Sequence, residues 1–183
     1  SAQRFKDSMG WLREIPDNPS PTFTFSHNYV PHAPFVFDRD GNIWSDIWPY
    51  GTSPSKPEAN QRYVDQLYFV SKTVDSVIDD ILKRSSREPI IIVQGDHGPP
   101  ASVKVNKSAD GAPLAYRVLE RTAIFNAYYL PEHCRSSVYP TITPVNTFRV
   151  ILNACLGADF DLLPDESYWE SIESPIDFEM LQR

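Results

Sequence analysis

The sequence predicts an α/β fold, a mostly parallel sheet flanked by helices, and three stretches carry that prediction. Ile90-Ile91-Ile92-Val93-Gln94 is a short run of β-branched residues, the mark of a buried strand. Between Asn60 and Arg84, apolar residues fall at Val64, Leu67, Tyr68, Val74, Val77, Ile78, Ile81 and Leu82, a helical stripe with Asp75, Asp79, Lys83 and Arg84 left for the wet side. Thr143-Pro144 opens a further helix, with the hydroxyl as cap and proline in the first turn, and Gly157 closes it.

Taken in order, Arg4 to Glu14 reads as a short helix stopped by Pro16-Asp17-Asn18-Pro19. Thr22-Phe23-Thr24-Phe25-Ser26 alternates polar and aromatic residues, as a strand does. A polar, proline-rich loop follows from His27 to Phe35, and Gly41 to Ala59 reads as extended loop. The long helix then leads through Ser85–Pro89 into the isoleucine strand. Strand, loop, helix, strand is the pattern of a right-handed crossover between parallel strands. Pro100 to Pro113 is polar loop, and Thr122 to Leu130 is another strand ended by Pro131. The acidic, aromatic tail from Asp159 to Arg183 is expected to pack over the surface with one short helix.

A chain of 183 residues can bury one sizeable core as a single domain, and 41% apolar with 13% aromatic residues excludes disorder. The net charge of −7, with no cluster of lysines or arginines, excludes nucleic-acid binding through a basic face. No stretch approaches the roughly 18 apolar residues of a membrane span, so this chain is expected to be soluble. Cys134 and Cys155 are too few for a disulfide framework. A bridge between them stays open, and two buried thiols are the simpler expectation.

The isoleucine strand runs straight into Gly95-Asp96-His97-Gly98-Pro99. Ligands of open α/β sheets gather at the carboxyl ends of strands. A carboxylate and a neutral imidazole are ligands for zinc or manganese, and the glycines permit the sharp turn that lets both converge on one ion. A satisfied turn pair without metal is the competing reading. His32, stiffened by Pro31 and Pro34, is the other candidate, since rigid presentation suits a residue meeting an anion or a metal. His27 and His133 have less around them. No Gly-x-Ser-x-Gly elbow and no phosphate-cradling glycine loop is present.

Phe25-Ser26-His27, Pro31-His32-Ala33-Pro34-Phe35, Tyr63-Val64-Asp65-Gln66-Leu67, Ile90 to Gly98 and Thr143-Pro144-Val145-Asn146-Thr147-Phe148 together resemble the alkaline phosphatase and sulfatase superfamily. The resemblance is to its bacterial membrane-anchored sulfatase-like branch, which includes lipoteichoic acid synthases and phosphoethanolamine transferases. It spans about Phe23 to Tyr168 and implies a partial alkaline-phosphatase-like domain. It also implies that Asp96 and His97 are ligands of a divalent metal (Mn, Zn, Mg or Ca) and that His32 contacts the transferred phosphoryl or sulfuryl group, as both a catalytic and a substrate-binding residue.

The implied activity is hydrolysis or transfer of a sulfate or phosphate ester. Two departures stand out: Pro99 occupies a place where the family commonly has an acidic residue, and no nucleophile pattern lies within the 31 residues before His32. The chain is therefore expected to be the C-terminal portion of a catalytic domain, completed by a missing N-terminal part and inert or weak by itself. The parent would sit on the extracytoplasmic face of a bacterial membrane, attached through segments outside this chain. Two rivals are a non-catalytic binding module and a self-contained metallohydrolase using His27, His32, Asp96 and His97.

Overall fold

The computed structural model describes residues 2–49, 52, 55–98, 122–171 and 174–180. It divides the chain into two units, Ser1–Arg87 and Glu88–Arg183, where the sequence predicts one domain.

The first unit is built on two helices. Helix α1 (Ala2–Glu14) turns its buried Ala2, Phe5 and Met9 inward at helical spacing and passes into a 3-10 turn at Ile15–Asp17. Helix α2 (Lys56–Arg84) starts four residues before Asn60, because Ser55 caps it: its Oγ accepts the Glu58 N–H at 3.3 Å and bonds the Glu58 carboxylate at 2.7 Å. Lys83 and Arg84 end α2, where cations suit the helix dipole. Phe37, fully buried, joins the two helices through ring contacts to Phe5 (5.8 Å) and Phe69 (4.8 Å). Gly41 lies under Phe69 with φ 85°, and a Cβ there would fall 2.2 Å from the ring, so only glycine fits.

Loop 44–48 is held to α2 by Arg62, whose guanidinium stacks on Trp48 (3.5 Å) and Trp44 (4.4 Å) while pairing with Asp46.

The buried face of α2 differs in its first half from the expected stripe. Gln66, Val70, Val77 and Ile81 are buried, while Val64, Leu67 and Tyr68 are exposed. The apolar pattern there is wider than the surface α1 and the 31–44 segment cover. Thr22–Ser26 is not a strand: Phe23 and Phe25 are 82% and 76% exposed, and the segment has no ladder. Alternation makes a strand only where a neighbour supplies hydrogen bonds and a surface to bury.

In the second unit β1 (Ile91–Gln94) pairs with β2 (Asn126–Tyr129), and β3 (Tyr168–Ser171) with β4 (Ser174–Met180). Both pairs are antiparallel, so the chain is mixed α/β, and the expected mostly parallel sheet is not seen among the described residues. The crossover lacks its first strand, and β1 pairs instead with a segment that returns toward it.

The isoleucine strand is half-buried rather than fully buried. Ile92 and Tyr128, opposite each other, pack with Leu130, Cys134 and Ile151 into a core that helix α3 (Pro144–Leu156) covers. Gly157 ends α3 in the left-handed region at φ 72°, and Ala158 N–H reaches back to Leu152 at 3.2 Å. Cys134 and Cys155 form a disulfide, which corrects the expectation of two thiols. The tail makes the β3–β4 hairpin where a short helix was expected. The expected loop 100–113 and Pro99 lie outside the described residues. No helix among the described residues is long and apolar enough to cross a membrane.

Candidate functional site

The ladder between β1 and β2 runs one step past its strands, with Gly95 N–H donating to Phe125 O at 2.8 Å. The chain then turns, and the turn gathers what strand alternation would separate. Asp96 Oδ1 accepts the His97 backbone N–H at 3.0 Å, and Asp96 Oδ2 stands 3.5 Å from His97 Nε2. His97 Nδ1 lies 2.9 Å from the Gly98 carbonyl oxygen, which can only accept, so Nδ1 carries a proton. A histidine that ligates a metal through Nε2 commonly has its other ring nitrogen held in this way.

The spacing also fits. Two donors at about 2.1 Å from a tetrahedral ion stand about 3.4 Å apart. Among the described residues, no group of three or more His, Cys, Asp or Glu side chains could hold an ion, so Asp96 and His97 would supply two positions of a coordination shell.

These two residues open onto a cavity of about 870 Å³ within the second unit, walled by Asn126 and Tyr128 of β2, by Tyr139, Ile142 and Thr143 ahead of α3, and by Ser167 and Tyr168 of the tail. Asp165 holds that wall together. Its Oδ1 accepts from Thr143 N–H (2.7 Å) and Thr143 Oγ1 (2.6 Å), and its Oδ2 accepts from the Tyr139 hydroxyl. Burial alone would raise the Asp165 carboxyl. The bonds from Thr143 and Tyr139 outweigh that and hold it at about 2. The Thr143 hydroxyl thus does not cap its own helix as expected; it is turned to Asp165.

His32 belongs to the first unit and is fixed there on several sides. Its N–H donates to Tyr29 O at 2.9 Å, Nδ1 is 2.6 Å from Ala33 O, and its ring packs 4.5 Å from that of Tyr29. Both flanking peptide bonds, Val30–Pro31 and Ala33–Pro34, are cis.

The residue that presents this segment is Gln66, fully buried on α2. Its Oε1 accepts from Val36 N–H (2.7 Å) and Phe37 N–H (3.2 Å), and its Nε2 donates to Pro31 O (3.0 Å). Sequence reasoning placed Gln66 in the resemblance but gave it no role. The signal was a polar side chain in phase with Val70, Val77 and Ile81. Gln66→Leu is expected to lower stability by about 2–3 kcal/mol, measured by urea unfolding, because two buried N–H groups lose their acceptor.

His27 is exposed and stacks 6.5 Å from Phe25. His133 is exposed within the 3-10 turn at Glu132–Ser137. The structure thus brings Asp96 and His97 together in one unit and holds His32 rigidly in the other. Compared with family models, with characterised proteins and with solved structures, the chain gives no significant match.

Proposed function

We propose that this chain is the C-terminal part of a metal-dependent enzyme that hydrolyses or transfers a sulfate or phosphate ester, with Asp96 and His97 holding a divalent cation. The observation that carries the reading is the 3.5 Å approach of Asp96 Oδ2 to His97 Nε2, with Nδ1 held by its bond to Gly98 O and Nε2 turned toward the carboxylate. A bound cation would neutralise charge on the ester oxygens and make a hydroxyl a better nucleophile. Asp96 contributes the negative charge that holds the ion, and His97 orients it. As the resemblance implies, His32, held by its bonds to Tyr29 and Ala33, would contact the transferred group, stabilising it or giving a proton to the leaving oxygen. The remaining ligands and the nucleophile come from an N-terminal part of the domain, which would also supply parallel neighbours for β1.

An extracytoplasmic location on a bacterial membrane is part of the same proposal. Its support beyond the resemblance is the Cys134–Cys155 bond, since disulfides persist mainly in oxidising compartments.

The test is a Mn²⁺ titration followed by electron paramagnetic resonance. The chain is expected to bind Mn²⁺ loosely, and Asp96→Asn or His97→Ala to remove that binding. Unchanged binding in both variants would sink the reading. A second reading, a binding module of sulfatase-like fold without catalysis, is favoured by the two-donor site. It requires that no cation binds and that an aryl phosphate is untouched even by the complete protein.

A further inference from the structure

The segment from Asp159 to Ser167 runs along α3 without regular structure, yet it is bonded to that helix as a strand is to its neighbour. Asn153 Nδ2 donates to Phe160 O and its Oδ1 accepts Phe160 N–H, both at 2.8 Å. Asn146 repeats the arrangement on Leu163, with Nδ2 to O at 2.6 Å and Oδ1 from N–H at 3.0 Å. Seven residues of helix rise about 10.5 Å and three extended residues span about 10 Å. Two asparagines seven apart therefore match two backbone groups three apart.

Asp165 then fastens the segment to Thr143 and Tyr139, and the next residues, Ser167 and Tyr168, enter the cavity wall that Asp96 and His97 share. The apolar side chains of the strap are not what holds it: Phe160, Leu162 and Leu163 are all exposed. Polar bonds to helix side chains fix its register, and register decides where Tyr168 stands.

We propose that Tyr168 is a specificity-determining residue that contacts the uncharged organic part of the ester, and that the strap exists to hold it there; this rests on the ester reading above. The Tyr168 hydroxyl is taken by Glu166, whose Oε2 accepts it at 2.6 Å, so what the residue offers the cavity is its ring. The described residues of the cavity wall include no lysine or arginine, and Asp96 adds negative charge. The Tyr168 ring suits a neutral ring or polyol face, and the Asp96 carboxylate disfavours a second anionic group beside it. The reacting group goes to the cation, and the rest of the molecule lies against Tyr168.

Binding of two probes to the full chain in the presence of Zn²⁺ tests this: inorganic phosphate, which has only the reacting part, and 4-nitrophenyl phosphate, which adds an uncharged ring. Tyr168→Ala is expected to weaken 4-nitrophenyl phosphate about three- to tenfold and leave inorganic phosphate unchanged, while Tyr168→Phe keeps both. Asn153→Ala, at a half-exposed position, is expected to show the same selective loss by loosening the strap. Equal losses for both probes, or no loss for the aryl ester, overturn the inference while the cation site stands. If neither probe binds the unaltered chain, the ester reading fails and takes this inference with it.

Discussion

Reducing the Cys134–Cys155 bond is expected to lower the stability of the second unit by about 3 kcal/mol. The bond closes a loop of 21 residues between the 3-10 turn at Glu132–Ser137 and the last turn of α3. Cross-linking a chain over that span removes conformational freedom from the unfolded state, and the stabilisation grows slowly with loop length. Cys134 is 2% exposed against Leu130 and Ile151, and a thiol is nearly as comfortable there as a disulfide sulfur, so reduction reads the cross-link alone. For a unit of this size the loss corresponds to a melting temperature about 12–24 °C lower.

The double variant Cys134→Ala, Cys155→Ala should fall further, because it also removes buried sulfur from the core. Thermal melts with and without a phosphine reductant measure the first effect, and alkylation before and after reduction counts the thiols. Superimposable melts, or two reactive thiols in unreduced protein, would refute the bond. The consequence reaches the candidate site, since Tyr139, Ile142 and Thr143, which wall its cavity, lie inside the closed loop.

What could be read from the sequence was what is decided locally. The helices are periodic and carry their own stops, so Ala2–Glu14, Lys56–Arg84 and Pro144–Leu156 lie close to the expected spans. The turn at Gly95–Gly98 was legible for the same reason: glycines beside an acid and an imidazole at a strand end leave few alternatives. Strands are different, because a strand is defined by its partner. Thr22–Ser26 has the alternation and no ladder, while the tail hairpin was missed although Ile176, Phe178 and Met180 alternate with Asp177 and Glu179. Gln66 and Asp165 act on backbone and side chains more than 20 residues away, and nothing near them in sequence announces it. The disulfide is of this kind too, since only the fold brings the two cysteines to a Cα separation of 5.2 Å.

Asp165 provides the second large effect, and it depends on pH. Its carboxyl titrates at about 2 in the folded protein, against 3.8 for an ordinary aspartate. A group lowered by folding stabilises the folded state when it is ionised. The contribution is therefore complete above about pH 5, shrinks as pH falls through 3.8, and is gone below about 2. Its size is at most about 2 kcal/mol, since each tenfold change in proton affinity is worth about 1.4 kcal/mol and solvent screens part of it.

Asp165→Ala removes the acceptor for Thr143 N–H, Thr143 Oγ1 and the Tyr139 hydroxyl together. Thr143 is buried, so its N–H and hydroxyl are left without a partner, and the loss should reach about 2–3 kcal/mol at neutral pH. Asp165→Asn keeps an oxygen for Thr143 and can donate from its nitrogen to the Tyr139 oxygen, so it should cost less than alanine at neutral pH and lose less stability below pH 4 than the unaltered chain. Denaturant midpoints at pH 7 and pH 3 separate these outcomes. If the asparagine variant loses stability between those pH values as steeply as the unaltered chain, another carboxylate is responsible, and the hydrogen bonds at Thr143 and Tyr139 do not depend on the charge of Asp165.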